Sequence, residues 1–534
     1  MGLDGFVAGA FMQKKVIKTV PKIAALCMTS AALLMASPAL PVEPALPAEP
    51  AIPNSKDNAL HVLNRLTFGP RPGDVEMVKD MGVEQFISTQ LHPNGIAEDK
   101  SVSHMFKSIP GLKLSANEVY LKYGYPTVEK KLEKLGINDQ NNPAECRRIK
   151  VEAYEAKLNY PIGAKVVAAV NSPRQLQEVM TDFWFNHFNV WRSKDDRDAC
   201  YVATFEEHVI RPRVFGKFRD LLWQTCHHPA MIDYLDVCED YKAGYEDKKG
   251  ANHGLNENYA RELMELHSLG ADAGYTQKDV IELARILSGL TLVERAGDAG
   301  KGPGYYFDRK RHDFGDKVFL GHSIKGSGER EIDQALDILA FHPATAHHIS
   351  YQLAQYFVCD EPPPQLVTRL AQKFSQSHGD IRAVLSQLFH SPEFWDERYR
   401  GSKFKSPYRY VISTIRGSGI ILDSTNIAQT ADGKMKPLER FFIQQGQPIY
   451  GCKTPDGYKN TQDAWLSANS LVQRINFSID LAAGKLKLNG GAPIEFDRLK
   501  QAPNLSAKSL DIIGAAAPET QSAMVLSGPD AMRY

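Results

Sequence analysis

The chain has 534 residues, of which 43% are hydrophobic and 24% are charged, as in ordinary folded proteins with a sizeable core. Its 63 basic residues balance 63 acidic residues, so it lacks the excess positive charge of a protein that binds nucleic acid. Length alone is compatible with several domains, although large helical units also reach this size.

The first forty residues have the pattern of an export signal. Lysines at positions 14, 15, 18 and 22 precede an apolar run over 23–36, and Ser37-Pro38-Ala39 offers small residues for cleavage. The apolar run is too short to span a bilayer. We therefore predict a signal peptide over residues 1–39, an exported protein that is periplasmic or extracellular, and no membrane span in the mature chain.

Two segments differ in composition from the helical domain that lies between them. Prolines recur at every third position from Pro38 to Pro53, the period of a polyproline II helix, so residues 40–54 are predicted to form a semi-rigid spacer. A helical domain is expected over 55–485. The remaining residues, 486–534, are rich in Ala, Ser, Pro and Gly and are expected to form an irregular C-terminal tail.

The helix Gln175–Phe188 is predicted to be buried on nearly every side, because apolar residues occupy both of its faces. His187 lies in the middle of the main apolar face, where a histidine with a satisfied hydrogen bond is the commoner structural explanation. Asp182 is interpreted as facing away from it. Other helices are expected, on periodicity and start signals, over 57–66, 75–81, 83–91, 117–135, 143–158, 331–341, 343–357, 364–377, 381–389, 406–417 and 467–481.

The segment Asn256–Leu290 predicts an antiparallel pair of helices at the centre of the fold. Its first helix carries an apolar stripe and closes at Gly270, and a capping box at Thr276 opens the second. Glu262 and His267 flank the stripe on opposite sides, about 140° apart at 100° per residue. They can line a cavity, but they cannot share one ligand without a contribution from elsewhere.

Strand signals follow this helix pair. Short β-type runs at 304–307 and 317–320 flank the charged loop Asp308–Asp316, which predicts one small β-hairpin. The fold class is therefore mainly α, a large multi-helical unit with one small β-hairpin.

Six of the seven cysteines lie beyond residue 39, and in an exported chain they can pair or remain buried thiols. Cys226-His227-His228 and Cys238 lack the spacing of a zinc site. A disulfide between Cys226 and Cys238 is favoured over a metal at this place.

Several segments together resemble a bacterial family catalogued as domain of unknown function 1800. They are HVLNRLTFGPRPGDVE, DFWFNHF, NENYARELMELHSLG, GYTQKDVIELARILSG, HDFGDKVFLG, HPATAHHISYQLAQYFV, SPYRYV, GQPIYGCKTPDGY and AWLSANSLVQRINF, between about Asn58 and Phe477. The resemblance implies an exported, largely helical protein and transfers no activity. Leu290 stands where the family usually has tryptophan, and Cys452 stands in a turn that often carries an aromatic residue.

The sequence leaves three classes of function open. The first is a hydrolase-like enzyme that acts on an envelope or extracellular polymer by carboxylate and histidine acid–base chemistry. The second is a non-catalytic envelope scaffold or binding module that contacts such a polymer or an envelope protein. The third is a metal or haem protein that uses His187, His267 and His312. Phosphate-loop, dinucleotide, nucleophile-elbow and HExxH motifs are absent from the sequence, and the cofactor stays unknown.

If there is a site, we expect it where the central helix pair meets helix 175–188 and the charged loop 308–313, since ionisable groups held against apolar surface concentrate at functional sites. The structural alternative is that a backbone carbonyl caps His187, an arginine pairs with Glu262, Arg261 and Glu265 form a salt bridge, and the loop points into water. The candidate catalytic residues are Glu262, Glu265, His267, His187, His312 and Asp313.

Overall fold

The computed structural model describes residues 52–293, 304–422, 437–488, 490–499 and 505–534. The predicted signal peptide and nearly all of the proline spacer lie outside these ranges. Among the helices of the described ranges, none combines the length and apolar character that crossing a membrane requires.

Short helices with clear start signals form the first part of the fold. Ser55 accepts a hydrogen bond from the backbone N–H of Asn58 (3.1 Å), and Gly124 divides the predicted helical stretch 117–135 in two. These helices are α1 (Lys56–Leu66), α2 (Asp74–Met81), α3 (Val83–Leu91), α4 (Lys100–Ser108), α5 (Ala116–Tyr123), α6 (Tyr125–Leu135) and α7 (Pro143–Tyr154).

Two neighbouring helices form the centre of the core. Every residue of α8 from Pro161 to Asn171 is buried, and so is most of α9, including Trp184, as the two-sided apolar pattern predicted. π-helical turns at Glu155–Asn159 and Phe205–Ile210 interrupt the regular helices. The helices of this region are α8 (Tyr160–Asn171), α9 (Gln175–His187), α10 (Asp196–Thr204), α11 (Phe218–Cys226) and α12 (Pro229–Tyr234).

The predicted pair of helices is present as α13 (Asn258–Glu265) and α14 (Gln277–Leu287), but α13 ends at Glu265 and not at Gly270, because turns follow it. Thr276 and Asp279 form the expected capping box at the start of α14. Gly270 has φ +90°, and a Cβ there would lie 3.0 Å from Nδ1 of His348, so both backbone and space favour glycine. The connection therefore packs tightly against a later helix.

The described strands form three two-stranded antiparallel sheets, and the predicted pairing of the run 304–307 with the run 317–320 is wrong. The strands are β1 (Tyr245–Glu246), β2 (Asn252–His253), β3 (Leu290–Leu292), β4 (Tyr305–Phe307), β5 (Lys317–Phe319) and β6 (His322–Ile324). β4 pairs with β3, and β5 pairs with β6 instead of with β4. The reason is a two-residue turn, Leu320-Gly321, whose positive φ angles (47° and 80°) suit a tight hairpin between β5 and β6.

Helices continue to the last residue range. They are α15 (Arg330–Phe341), α16 (Pro343–Phe357), α17 (Pro364–Gln376), α18 (Ile381–Phe389), α19 (Pro392–Trp395), α20 (Pro407–Gly417), α21 (Pro437–Gln444), α22 (Gln462–Trp465), α23 (Ala468–Ala482), α24 (Phe496–Leu499), α25 (Ala507–Gly514), α26 (Pro518–Ser527) and α27 (Pro529–Met532). The fold class is mainly α, as predicted.

The expectation of an irregular tail over 486–534 is wrong for its described residues. Its alanine-rich composition favours helix, and buried Val525 and Leu526 give α26 an apolar side where it packs on α23. Tyr534 is buried, and its backbone N–H donates to the carbonyl of Lys403 (3.0 Å). The described residues of the tail therefore belong to the same compact unit as the helical domain.

The cysteines of the described residues are free thiols, so the favoured Cys226–Cys238 disulfide is absent. Cys226 is fully buried in the core and Cys238 is half-buried. Burial raises the pKa of each thiol to about 12. These cysteines behave as small hydrophobic residues.

Candidate functional site

A cavity of about 320 Å³ lies between α8, α9, α16, α20 and the loop 447–460. Its volume falls at the lower end of the range of small-molecule sites. Asp182 and His187 from α9, His348 and Gln352 from α16, and Arg409 from α20 line it. Leu266 reaches it from the end of α13, and Tyr534 closes one side.

A buried lysine links two carboxylates at one side of the cavity. Lys165 Nζ lies 3.2 Å from Oδ1 of Asp182 and 2.5 Å from Oε2 of Glu206. The hydroxyl of Tyr450 donates to the other oxygen of Glu206 (3.1 Å). Lys165 and Glu206 are buried, whereas the side chain of Asp182 is 29% exposed. Asp182 is therefore the member of this group that a bound molecule can reach.

The acidic groups in this region outnumber the basic ones. Arg211 contacts Glu178 and Glu207, so Lys165 and Arg211 together serve four carboxylates, those of Asp182, Glu178, Glu206 and Glu207. Burial raises the pKa of Asp182, and it raises the pKa of Glu178 to about 7. Arg409 also acts on Asp182, so three cations face four carboxylates, and this imbalance favours retention of a proton within the group.

His187 presents a neutral imidazole to the same cavity. Its Nε2 lies 3.3 Å from the carbonyl oxygen of His267. Because a carbonyl only accepts, Nε2 carries the proton and Nδ1 carries the lone pair. Burial, together with His267 and His348, holds the pKa of His187 well below its usual range. His187 is therefore uncharged at neutral pH.

The neighbouring histidines differ in access. His348 borders the cavity, and its Nε2 lies 3.3 Å from the carbonyl oxygen of Leu266 and 3.1 Å from Nε2 of Gln352. His267 lies behind His187, with ring centroids 6.1 Å apart, and burial lowers its pKa to about 3. Its Nε2 is buried and has no hydrogen-bond partner within the described residues.

Tyrosines form much of the remaining wall, at positions 356, 408, 450, 458 and 534. Arg409 lies at one corner of the cavity. Its guanidinium lies 3.8 Å from the ring centre of Tyr534 and donates hydrogen bonds to the carbonyls of Asn64 (2.6 Å) and Thr67 (2.7 Å). The wall therefore combines aromatic faces with fixed polar groups, the usual composition of an organic ligand site.

Two asparagines at the end of α9 hold the loop 447–460 over the cavity. Asn186 donates to the carbonyl of Tyr458 (2.9 Å) and accepts from its N–H (2.7 Å). Asn189 donates to the carbonyls of Cys452 (3.1 Å) and Thr454 (2.9 Å). A Cβ at Gly457, where φ is +69°, would approach the carbonyl of Asn186 to 2.2 Å, so only glycine allows this approach.

The structure brings together only part of the predicted site. His187 borders the cavity, whereas Glu262, Glu265 and His267 are not among its lining residues. Glu265 lies 3.8 Å from Arg261, which is the salt bridge of the structural alternative. Glu262 is half-buried, and burial with neighbouring Glu265 raises its pKa.

His312 and Asp313 belong to a different region. His312 is fully buried between the carbonyl of Ser288 (2.7 Å) and Oε1 of Glu331 (3.0 Å), and Asp313 pairs with Arg285 (2.8 Å). Neither lines the cavity. The charged loop therefore does not border this cavity, because a buried carboxylate on α15 draws His312 inward.

His187, His267 and His312 do not form a metal-binding group. Among the described residues, no cluster that includes a histidine brings three ligand atoms within 4.8 Å of one another. The geometry thus provides no support for a metal or haem held by these three residues.

Sequence reasoning also missed residues of the cavity. Asp182 was interpreted as facing away from His187, yet both line the cavity. Lys165 stands alone in the apolar helix α8, and a lysine is rarely buried without a partner. This isolated lysine is the one local feature of the sequence that indicates a buried charged cluster at this place. The contributions of Glu206 and the tyrosines depend on packing between distant segments and have no comparable local signal.

Comparison with known proteins gives one result. A family model described as Protein of unknown function (DUF1800) matches residues 61–531, nearly the whole chain. No curated protein and no solved structure matches the chain.

Proposed function

The chain belongs to the DUF1800 family, and we propose that it is a hydrolase-like enzyme that acts on one unit of an envelope or extracellular polymer. The observation that carries the proposal is that Asp182 and His187, a carboxyl of raised pKa and a neutral imidazole, line one cavity. Such a pair supplies the acid and the base of a hydrolysis.

In the proposed reaction, the Nδ1 lone pair of His187 accepts a proton from water as the water oxygen bonds to the substrate carbon. Asp182 gives its proton to the leaving oxygen as the old bond to that carbon breaks. The resulting carboxylate is stabilised by Lys165, 3.2 Å away. Solvent then returns a proton from His187 to Asp182, so atoms and charge balance over the cycle.

A sugar unit fits the chemistry of the wall. Tyrosine faces can pack against the C–H face of a sugar ring, and Gln352, Gln355 and Asn460 offer amides to its hydroxyls. The cavity of about 320 Å³ favours one or two units over a long polymer segment. An oligosaccharide end or a short branch is accordingly the proposed substrate.

An exported location is part of this proposal. It is supported by the basic, apolar and small-residue pattern between Lys14 and Ala39. N-terminal sequencing of the protein from periplasmic and culture fractions tests it. A chain in those fractions that retains Lys14 would contradict export by a cleaved signal.

The activity is tested by incubating the full chain with purified peptidoglycan and with extracellular polysaccharide, and measuring soluble fragments by mass spectrometry. We expect Asp182→Asn and His187→Gln each to lower the rate by about 100-fold or more, the usual contribution of general acid–base catalysis. Asp316→Asn, the same change at a carboxylate whose side chain is 61% exposed, serves as the control.

Circular dichroism and thermal melting confirm that the variants are folded. Fragment release that survives Asp182→Asn would contradict the assigned acid. Binding of a polymer without release of fragments would instead favour the non-catalytic binding module.

A further inference from the structure

Three aspartates outside the cavity form a separate cluster at the start of α10 and the end of α12. They are Asp195, Asp198 and Asp233, and each offers one carboxylate oxygen within 4.8 Å of the others. Acidic clusters are common on protein surfaces, but two of these three residues are buried. Buried carboxylates need a partner that compensates their negative charge.

Asp198 has no exposed surface, and neither of its carboxylate oxygens has a hydrogen-bond partner among the residues that the structure describes. One carboxylate oxygen of Asp233 likewise has no hydrogen-bond partner among these residues. A buried carboxylate without a donor is costly, and a cluster of three increases the cost through mutual repulsion. The unpartnered oxygens therefore point to a ligand of positive charge.

The neighbouring cations do not fill this role. Lys194 directs its ammonium to the carbonyls of Asp233 (2.6 Å) and Tyr234 (2.9 Å) and to Oδ1 of Asp236 (2.5 Å). These contacts use all three of its donors. Arg197 reaches only the other oxygen of Asp233, at 3.3 Å. Asp198 is left without a donor from either side chain.

The local charge is also unbalanced. Four carboxylates, those of the cluster and of Asp236, face the two cations Lys194 and Arg197. Two negative charges remain, the amount that one divalent cation neutralises.

We propose that Asp195, Asp198 and Asp233 bind a calcium ion. All three ligands are carboxylate oxygens, which suits a hard divalent cation. Calcium is favoured over magnesium because two of the carboxylates are buried, whereas magnesium usually keeps several of its waters. The ion would tie the start of α10 to the end of α12.

The expected consequence is local rigidity next to the cavity. Tyr234 follows Asp233, and its hydroxyl donates to the carbonyl of Lys453 (2.9 Å) in the loop 447–460. A cation at the aspartates therefore stabilises a segment that anchors this loop. The ion contacts no residue of the proposed catalytic pair and is assigned a structural part.

The test uses the full chain, stripped with EGTA and dialysed into calcium-free buffer. Titration calorimetry with CaCl₂ and with MgCl₂, together with the metal content by mass spectrometry, measures binding directly. We expect one calcium per chain, a rise in Tm when calcium is added, and weaker binding of magnesium.

Two variants locate the ion. Asp198→Asn is expected to abolish calcium binding and the calcium-dependent rise in Tm, and Asp195→Asn is expected to weaken binding by at least about 10-fold, the lower end of the effect of perturbing a metal site. Asp195→Asn keeps the side-chain oxygen that caps α10, so it tests binding in a folded chain.

Asp139→Asn, at an aspartate whose side chain is 65% exposed, is the matched control and should bind calcium as the unmodified chain does. Two results would overturn the proposal. One is a stripped chain that takes up no calcium at millimolar concentration and shows no change in Tm, because Asp198 is then protonated. The other is magnesium binding as tight as that of calcium.

Discussion

Two ionic clusters in this molecule each pair a buried lysine with a buried glutamate, but their surroundings differ. Glu331, Lys317 and His312 are all without exposed surface, and Oε1 of Glu331 also accepts from the N–H groups of Ser327 and Gly328 (2.7 Å each). In the cavity cluster, Lys165 and Glu206 are buried, but Asp182 keeps 29% of its side chain exposed.

The difference shows why burial and residue type do not identify a functional group by themselves. The Glu331 cluster is closed, because every donor it needs comes from the protein. The Asp182 cluster is open on one side, and a molecule in the cavity can contact its carboxyl. The candidate site differs from an internal structural ion pair because a bound molecule can reach its ionisable group.

The largest effect is expected from breaking the closed cluster. Glu331→Ala leaves the ammonium of Lys317, which has no exposed surface, without its carboxylate. Removing one partner of such a buried pair usually costs about 3–5 kcal/mol in the free energy of unfolding. Urea denaturation monitored by circular dichroism measures it. A loss below about 1 kcal/mol would mean that the cluster is not the structural element described.

A second prediction concerns His267, a buried and uncharged group behind the cavity. Burial lowers its pKa to about 3, so the unfolded chain binds a proton near pH 6.5 that the folded chain does not. Its contribution to stability is therefore present above pH 6.5 and declines as the pH falls toward 3. Between pH 7 and pH 5 the loss is about 2 kcal/mol from this group alone.

The measurement compares the unmodified chain with His267→Leu, which lacks the titrating ring. Urea unfolding at both pH values gives the pH dependence of each, and subtraction cancels opposing groups such as Glu178. Equal pH dependence in the two chains would show that His267 is not held neutral.

The open cluster should respond differently from the closed one. Asp182→Asn keeps an oxygen near Lys165, and Glu206 still pairs with that lysine (2.5 Å). We therefore expect a change in the free energy of unfolding of at most about 1 kcal/mol, alongside the loss of activity predicted above. If the variant unfolds as readily as Glu331→Ala, Asp182 is structural and the comparison fails.

The smallest effect is expected at the surface. Arg261 lies 3.3 Å from Glu257 and 3.8 Å from Glu265, but all three side chains are partly exposed and solvent screens them. Arg261→Gln should change the free energy of unfolding by about 0.5 kcal/mol or less. Thermal melting in low and high salt checks this value. A loss that rivals that of Glu331→Ala would remove the distinction between buried and surface pairs.

Local signals in the sequence were sufficient for most helices. The helices α3, α16 and α18 have the predicted bounds, and the capping box at Thr276 lies where the sequence placed it. These features depend on neighbouring residues. Strand pairing was mispredicted because it depends on which distant segment is available, and the tight turn after Phe319 gave β5 a nearer partner than β4.

The candidate site was only partly predictable for a similar reason. His187 was found because a polar residue interrupts an apolar helix face. Lys165 sends the same signal from α8, but its partners Asp182 and Glu206 come from a helix and a π-helical turn that no local pattern relates to it. His312 was a candidate because it lies in the charged loop, and it is instead paired with Glu331.

The contact of Arg409 with Tyr534 has a consequence for the order of folding. Arg409 also donates to the carbonyl of Asn64, 345 residues earlier in the chain, so this corner of the cavity joins the first helix to the last residue range. Contacts of such separation form late, since the intervening loop must close first. The earlier helices can collapse during synthesis, but this corner of the cavity forms only after Tyr534 has been made, so ligand binding reports a late step of folding.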